Sequence, residues 1–420
     1  GGRILVTSAG TVSPDGTLSA GGSSAESDPN GGTGGGGAGG TIRITTDTYS
    51  GSGLLKAKGG NGGDDYTTGG SEEGRGGGGG GGRIFVSYTT STFDNFSDAE
   101  VTGGTGGAGV GPAGQPGSVG TLGFLDRSAN QSLHVYQGWR FEEVDKPLSE
   151  TFSFSELFSN AGTLIRSGTV LPLHVQVTSA TELSAGTTWT DSGTDLLLET
   201  DTLNATNTEF SFDEQSLQII VSAQANYTGG TIGATTLALE GNQTFDSVSA
   251  SGDTLTVNDS PLLHFATDTE FGFRDYNLHV THLTVDTGAT VSADGRGFGS
   301  ATGPGAGANG SAASGGGGGH GGRGGTGGSG AAGGSFHDSA LLPNDFGSGG
   351  GNGSRTTGGA GGGRILITST GTVSLDGTLS AGGSTASNDP NGGTGGGGAG
   401  GTIRIKADTF SGSGLLKANG

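Results

Sequence analysis

The chain ends on the sequence with which it begins. Residues 1–59 read GGRILVTSAGTVSPDGTLSAGGSSAESDPNGGTGGGGAGGTIRITTDTYSGSGLLKAKG, and residues 362–420 read GGRILITSTGTVSLDGTLSAGGSTASNDPNGGTGGGGAGGTIRIKADTFSGSGLLKANG. The copies align without a gap at an offset of roughly 360 residues. A recent duplication is one source of such identity; we read it as one structural repeat followed by the start of the next. No glycine differs between the copies. Val6 becomes Ile367 and Tyr49 becomes Phe410, exchanges that buried apolar sites accept. Pro14/Leu375, Glu26/Ser387, Thr45/Lys406 and Lys58/Asn419 change character, as solvent-facing sites allow. Glycines that persist through GGTGGGGAGG point to a backbone needing positive φ or close approach of another chain segment, and valine at Gly36 or Gly397 is expected to disrupt packing.

Glycine contributes 98 of 420 residues. Without a Gly-X-Y period this is not collagen. The chain has no methionine, so the native start is expected to lie elsewhere. No run of some 18 apolar residues is present to span a bilayer. The lack of cysteine removes disulfides, thiol catalysis and cysteine-based zinc sites, and suits a secreted protein. A formal charge of -21 disfavours nucleic acid and anionic membranes as partners.

A smaller unit of about 40 residues lies inside the long repeat, opening at Gly1, Gly39, Gly81, Gly362 and Gly400. After each GG, apolar and polar residues alternate, as in Thr41-Ile42-Arg43-Ile44-Thr45 and Arg83-Ile84-Phe85-Val86-Ser87. That is the pattern of a strand with one buried face. A looser copy spans residues 278–295. Each unit has too few strands to fold alone, and stacking on neighbours is the remedy. Between residues 121 and 275 glycine falls and apolar clusters recur about every 20 residues, which suits successive coils of a parallel β-solenoid; an antiparallel β-sandwich between glycine-rich segments is the alternative. The stretch 153–160, opened by Ser153 and followed by Ala161-Gly162, is the one expected helix. The glycine tracts 31–40, 69–82, 303–334 and 347–363 are expected to be ordered, packing laterally as polyglycine-II-like helices with three residues per turn. Four segments follow: a glycine-rich β module at 1–120, a glycine-poorer β-rich segment at 121–275, a glycine-rich β segment at 276–361, and the next copy at 362–420.

Little in the chain carries chemistry. Residues 59–66 match a calcium nonapeptide once, making Asp64 and Asp65 weak calcium candidates, but such sites need neighbouring turns to complete the oxygen cage. His279 and His282 are three apart on an expected strand, so they should point to opposite faces. His320 and His337, with Asp338 adjacent, lack a third ligand at a recognisable spacing. Glu72-Glu73 and Glu142-Glu143 are sequence neighbours and do not frame a cleft. Among the sequons, Asn204, Asn226 and Asn242 are candidate glycosylation sites for a secreted chain. Trp139 and Trp189, the two tryptophans, are expected in the core.

The combination of GGRIxI, LDGTLSAGG, GGGGHGGRGG and a further GGRILI resembles very large glycine-rich tandem-repeat secreted proteins, predicted to be β-solenoid fibres or adhesins. The resemblance covers most of residues 1–121 and 275–420 and supplies no catalytic residues. It implies a structural repeat of an extracellular filament or cell-surface stalk, without enzyme activity or cofactor, whose partners are further copies of itself, end to end or bundled. The alternative is an adhesin or carbohydrate-binding repeat whose 121–275 segment recognises glycans.

Overall fold

A computed structural model describes residues 1–27, 33–65, 74–93, 96–109, 112–128, 131–141, 151–166, 172–191, 195–310, 314–328, 330–389 and 393–420. Glu72-Glu73 and Glu142-Glu143 lie outside these. The described residues are nearly all strand or extended backbone, without an α-helix and with a single 3-10 turn at Phe96–Asp98. No helix among them is long and apolar enough to cross a membrane. The chain divides into two units, Gly1–Ser192 and Gly193–Gly420.

In the first unit Gly1-Gly2, Gly39-Gly40 and Gly81-Gly82 each precede a strand, and these strands stack in parallel. Arg3–Val12 pairs with Thr41–Tyr49, which pairs with Arg83–Tyr88, which pairs with Thr121–Asp126. The register partners Arg3, Thr41, Arg83 and Thr121 lie about 40 residues apart along the chain. Alternation then places Ile4, Ile42, Ile84 and Leu122 in one inward rank and Val6, Ile44, Val86 and Phe124 in the next. Six of these eight, Ile4 and Val6 of the edge strand excepted, are wholly buried. Tyr49, Tyr88, Phe93, Phe96, Phe124 and Tyr136 continue the core as a chain of ring contacts. Burial of these rings, worth roughly 1.5–3 kcal/mol for each large side chain, drives the stacking.

The second unit repeats the scheme of parallel strands with unequal spacings along the chain. Leu237, Leu255, Tyr276, Ile365 and Ile403 are consecutive register partners, as are Ala250, Phe271, Val291, Leu379 and Leu416. Early partners lie about 20 residues apart, whereas Asp275 and Arg364 lie about 90 apart because the glycine-rich excursion lies between them. Buried hydroxyls mark corners: Thr46 and Thr200 each donate to the carbonyl two residues on, at 3.0 and 2.9 Å, and Ser260 does the same to Leu262. Among the described residues of the 121–275 segment, Phe152–Ser159, Thr163–Arg166, Ser249–Phe265 and Glu270–Val285 pair in parallel with their neighbours, and Thr121–Asp126 pairs antiparallel with Ser132–Val135.

Glycine tracts fill the space beside the strands. Gly36 and Gly39 donate to the carbonyls of Gly77 and Gly80, Gly59 and Gly62 to those of Thr102 and Thr105, all at 2.9 Å. In the second unit Gly315 and Gly318 donate likewise to Thr394 and Gly397. A bond to the same neighbour every third residue leaves the intervening groups to face other tracts, so backbone polar groups are satisfied without a sheet. A Cβ on Gly36 would fall on the Gly60 carbonyl, well inside contact distance.

Three expectations are corrected. Residues 153–160 form no helix, because Phe152–Ser159 is a strand pairing in parallel with Ser132–Val135 and with Leu173–Leu183. The Phe-Ser-Phe-Ser alternation and β-favouring phenylalanines outweigh the serine cap. Leu375 is buried, not solvent-facing, since it extends the inward rank Phe245, Phe265, Val285. A Cβ on Gly397 would meet open space, unlike one on Gly36.

Candidate functional site

The sequence candidates disperse. Asp64 accepts the Ala108 N–H at 2.6 Å, while buried Asp65 donates its own N–H to the Ala108 carbonyl at 3.0 Å. No group of three or more potential metal ligands occurs among the described residues. His279 and His282 are both exposed, contrary to strict alternation, because the strand bends between buried Val280 and Leu283. His282 Nδ1 takes the Thr372 N–H. Asn204, Asn226 and Asn242 lie on the extended segment Leu196–Asp246, where Asn226 Nδ2 donates to Asn204 at 3.0 Å and Asn242 Nδ2 to the Ala223 carbonyl at 2.8 Å. Trp189 is buried, with its ring stacked on Phe141 at 6.1 Å. Trp139 is only partly buried.

Trp139 borders a groove of about 770 Å³ in the first unit, on the outward side of the stacked strands. Because Ile4, Ile42 and Ile84 point inward, their neighbours Arg3, Leu5, Arg43, Arg83 and Phe85 point out and line this groove. Trp139 contacts Phe85 at 5.8 Å and lies over Gly123, where any Cβ would overlap its indole. Gly123 is thus the residue that lets the ring close against the sheet. Arg3 and Arg43 are exposed and make no side-chain hydrogen bond or ion pair among the described residues. The exposed guanidiniums of Arg3 and Arg43 thus share a groove with the Phe85 and Trp139 rings in a chain of charge -21.

The second copy of the same face is covered. Arg364, Thr402 and Arg404 correspond to Arg3, Thr41 and Arg43, and residues 335–346 (SFHDSALLPNDF) cross them as a strap. Arg364 donates to the Asn344 carbonyl at 2.7 Å, Thr402 to that of Asp345 at 2.8 Å, and Arg404 to that of Pro343 at 3.3 Å. Arg364 also makes a bidentate pair with Asp275, at 2.9 and 2.5 Å, which raises the guanidinium's pKa further. Phe346 closes the strap, its ring centre 4.6 Å from the Arg274 guanidinium carbon and 5.0 Å from that of Arg364.

The strap is knotted at Asp338. Its carboxylate accepts the N–H groups of Ser339 and Asn344 at 2.7 Å and of Asp345 at 2.9 Å, and faces His320 Nε2 at 3.2 Å. His320 Nδ1 lies 2.9 Å from the Gly400 carbonyl, tying the strap to the second repeat copy. Burial opposes ionisation of Asp338, but the three N–H donors and the imidazole outweigh it and bring the pKa down to about 2. His320, His337 and Asp338 therefore do meet, the two rings at 4.9 Å, in a structural staple. Sequence reasoning missed the strap, although its apolar letters interrupt a glycine tract. No family model, curated protein or solved structure matches the chain.

Proposed function

We propose that the chain is a structural repeat of an extracellular glycine-rich filament or stalk: a β-solenoid padded by polyglycine-II-like bundles and continued by further copies of itself. The observation that carries this reading is the agreement of the two copies. Arg3 pairs with Thr41 as Arg364 does with Thr402, and Leu18 with Leu55 as Leu379 does with Leu416. Their surroundings differ on one side. Tyr49 is 0% exposed beneath Tyr88 and Phe93, whereas Phe410 is 51% exposed; Leu55 is 1% exposed and Leu416 46%. The second copy keeps the apolar residues, and at Gly397 the glycine, that the first copy uses to seat its next coil. Bare strand edges with apolar side chains favour association, and a continuing copy covers them. Acidity and the lack of cysteine support an extracellular place.

Electron microscopy of polypeptides carrying two, three and four head-to-tail copies of residues 1–361 tests the reading. Rods should lengthen linearly, by about 45 to 85 Å per copy if each coil uses 20 to 40 residues and rises 4.8 Å. Separate globular beads on flexible connectors would overturn it.

A further inference from the structure

We infer that the open groove of the first unit is a receptor for a peptide strap, and that its occupant is the equivalent of residues 335–346 from a neighbouring copy of the repeat. The receptor is already occupied once, on the same three side chains at the equivalent positions. What Arg364, Thr402 and Arg404 grip are three successive backbone carbonyls and an aromatic ring; Arg3, Thr41 and Arg43 present the same donors with none of that cover. Leu5 is 56% exposed where Leu366 is 9% exposed. Some of that difference comes from the strand Glu270–Val285, which flanks Leu366 and has no counterpart beside Leu5. Thr402 separates the two causes. It lies on the edge strand of its copy and so has one strand neighbour fewer than Thr41, yet it is buried while Thr41 is half-buried. The strap is what lies over it.

The direction of the strap accounts for the rest of the groove. Phe346 lies against Arg274 and Arg364, and Pro343 sits on Arg404 of the next strand, so Leu342 and Leu341 come next along the path. In the second unit no described strand follows Thr402–Lys406 on that side, and they stand 69% and 91% exposed. In the first unit a third strand is present at that place, and it carries Phe85 with Trp139 beside it. Two exposed leucines and an aromatic-lined groove are complementary, and the guanidiniums select carbonyl oxygens. The inference rests on the equivalence of the two copies and on the continuation by further copies proposed above, but peptide binding and rod length are read separately, so either can fail alone.

The test titrates a fluorescein-labelled peptide SFHDSALLPNDF against the 420-residue chain, followed by anisotropy and by tryptophan emission. Saturable binding is expected, weakened at least tenfold by Arg3→Ala with Arg43→Ala, both exposed positions at which folding is preserved. Leu341→Ser with Leu342→Ser in the peptide should remove the tryptophan response. Because the free peptide must order itself, a second chain carries residues 335–361 fused ahead of Gly1, raising the local concentration. It should show a blue-shifted Trp139 emission that Arg3→Ala with Arg43→Ala reverses. No response in either format, or a response indifferent to the arginines, overturns the inference. So does arginine-dependent binding of polygalacturonate with no binding of the peptide, which would assign the groove to acidic polysaccharide.

Discussion

Asp338 shows how one side chain can organise a segment that has no regular structure. Its pKa lies below the ordinary 3.8, at about 2, so the stabilisation it gives the strap is complete above pH 4 and is lost as pH falls through 2. The shift corresponds to about 2 kcal/mol. Protection factors of the Asn344 and Asp345 amides should fall between pH 4 and pH 2 while those of Ile365 and Ile367 do not. Asp338→Asn should leave those two amides weakly protected at both pH values. Their continued protection in the variant would show that the arginine contacts alone hold the strap. The sequence placed His337 and Asp338 side by side, but His320 lies on a different arm of the excursion, and no periodicity relates it to them. Arg3 and Arg43 were equally silent as a site. Their meaning appears only when the covered copy is set beside the open one.

Among the elements, strands were the most legible, because GG followed by alternating apolar residues encodes both a start and a buried face. Arg3–Val12, Thr41–Tyr49, Arg83–Tyr88, Arg364–Ser369 and Thr402–Lys406 all begin at the residue after that signal. Phe152–Ser159 was misread since its serines fit a helix cap and a strand's polar face equally well. The glycine tracts were legible as ordered but not as to which glycines are enclosed, since enclosure depends on the coil that follows. Gly36→Val should lower the thermal midpoint by about 5 °C or more, as the side chain would displace the Gly60 backbone. Gly397→Val in the same chain should shift it by less than about 1 °C. Equal sensitivity at both sites would mean that the second tract is covered in solution.

For the whole molecule, charge sets how copies meet side to side. At -21 per 420 residues, neighbouring copies of the chain repel at low ionic strength, and screening over a Debye length of roughly 10 Å at 0.1 M relaxes that repulsion. Light scattering should therefore rise with NaCl, and at lower concentration with CaCl2. Scattering that is greatest in salt-free buffer would contradict this.

The unequal coils also determine how such a chain would yield under tension. Stacked coils are joined by ladders of hydrogen bonds that separate coil by coil, and each rupture frees the slack stored in that coil. At about 3.5 Å per extended residue, a coil of some 20 residues releases roughly 70 Å, one of 40 about 140 Å, and the long coil holding the glycine excursion and its strap about 300 Å. The repeat thus carries its largest single reserve of length in one place, latched by Arg364, Arg404 and Asp338.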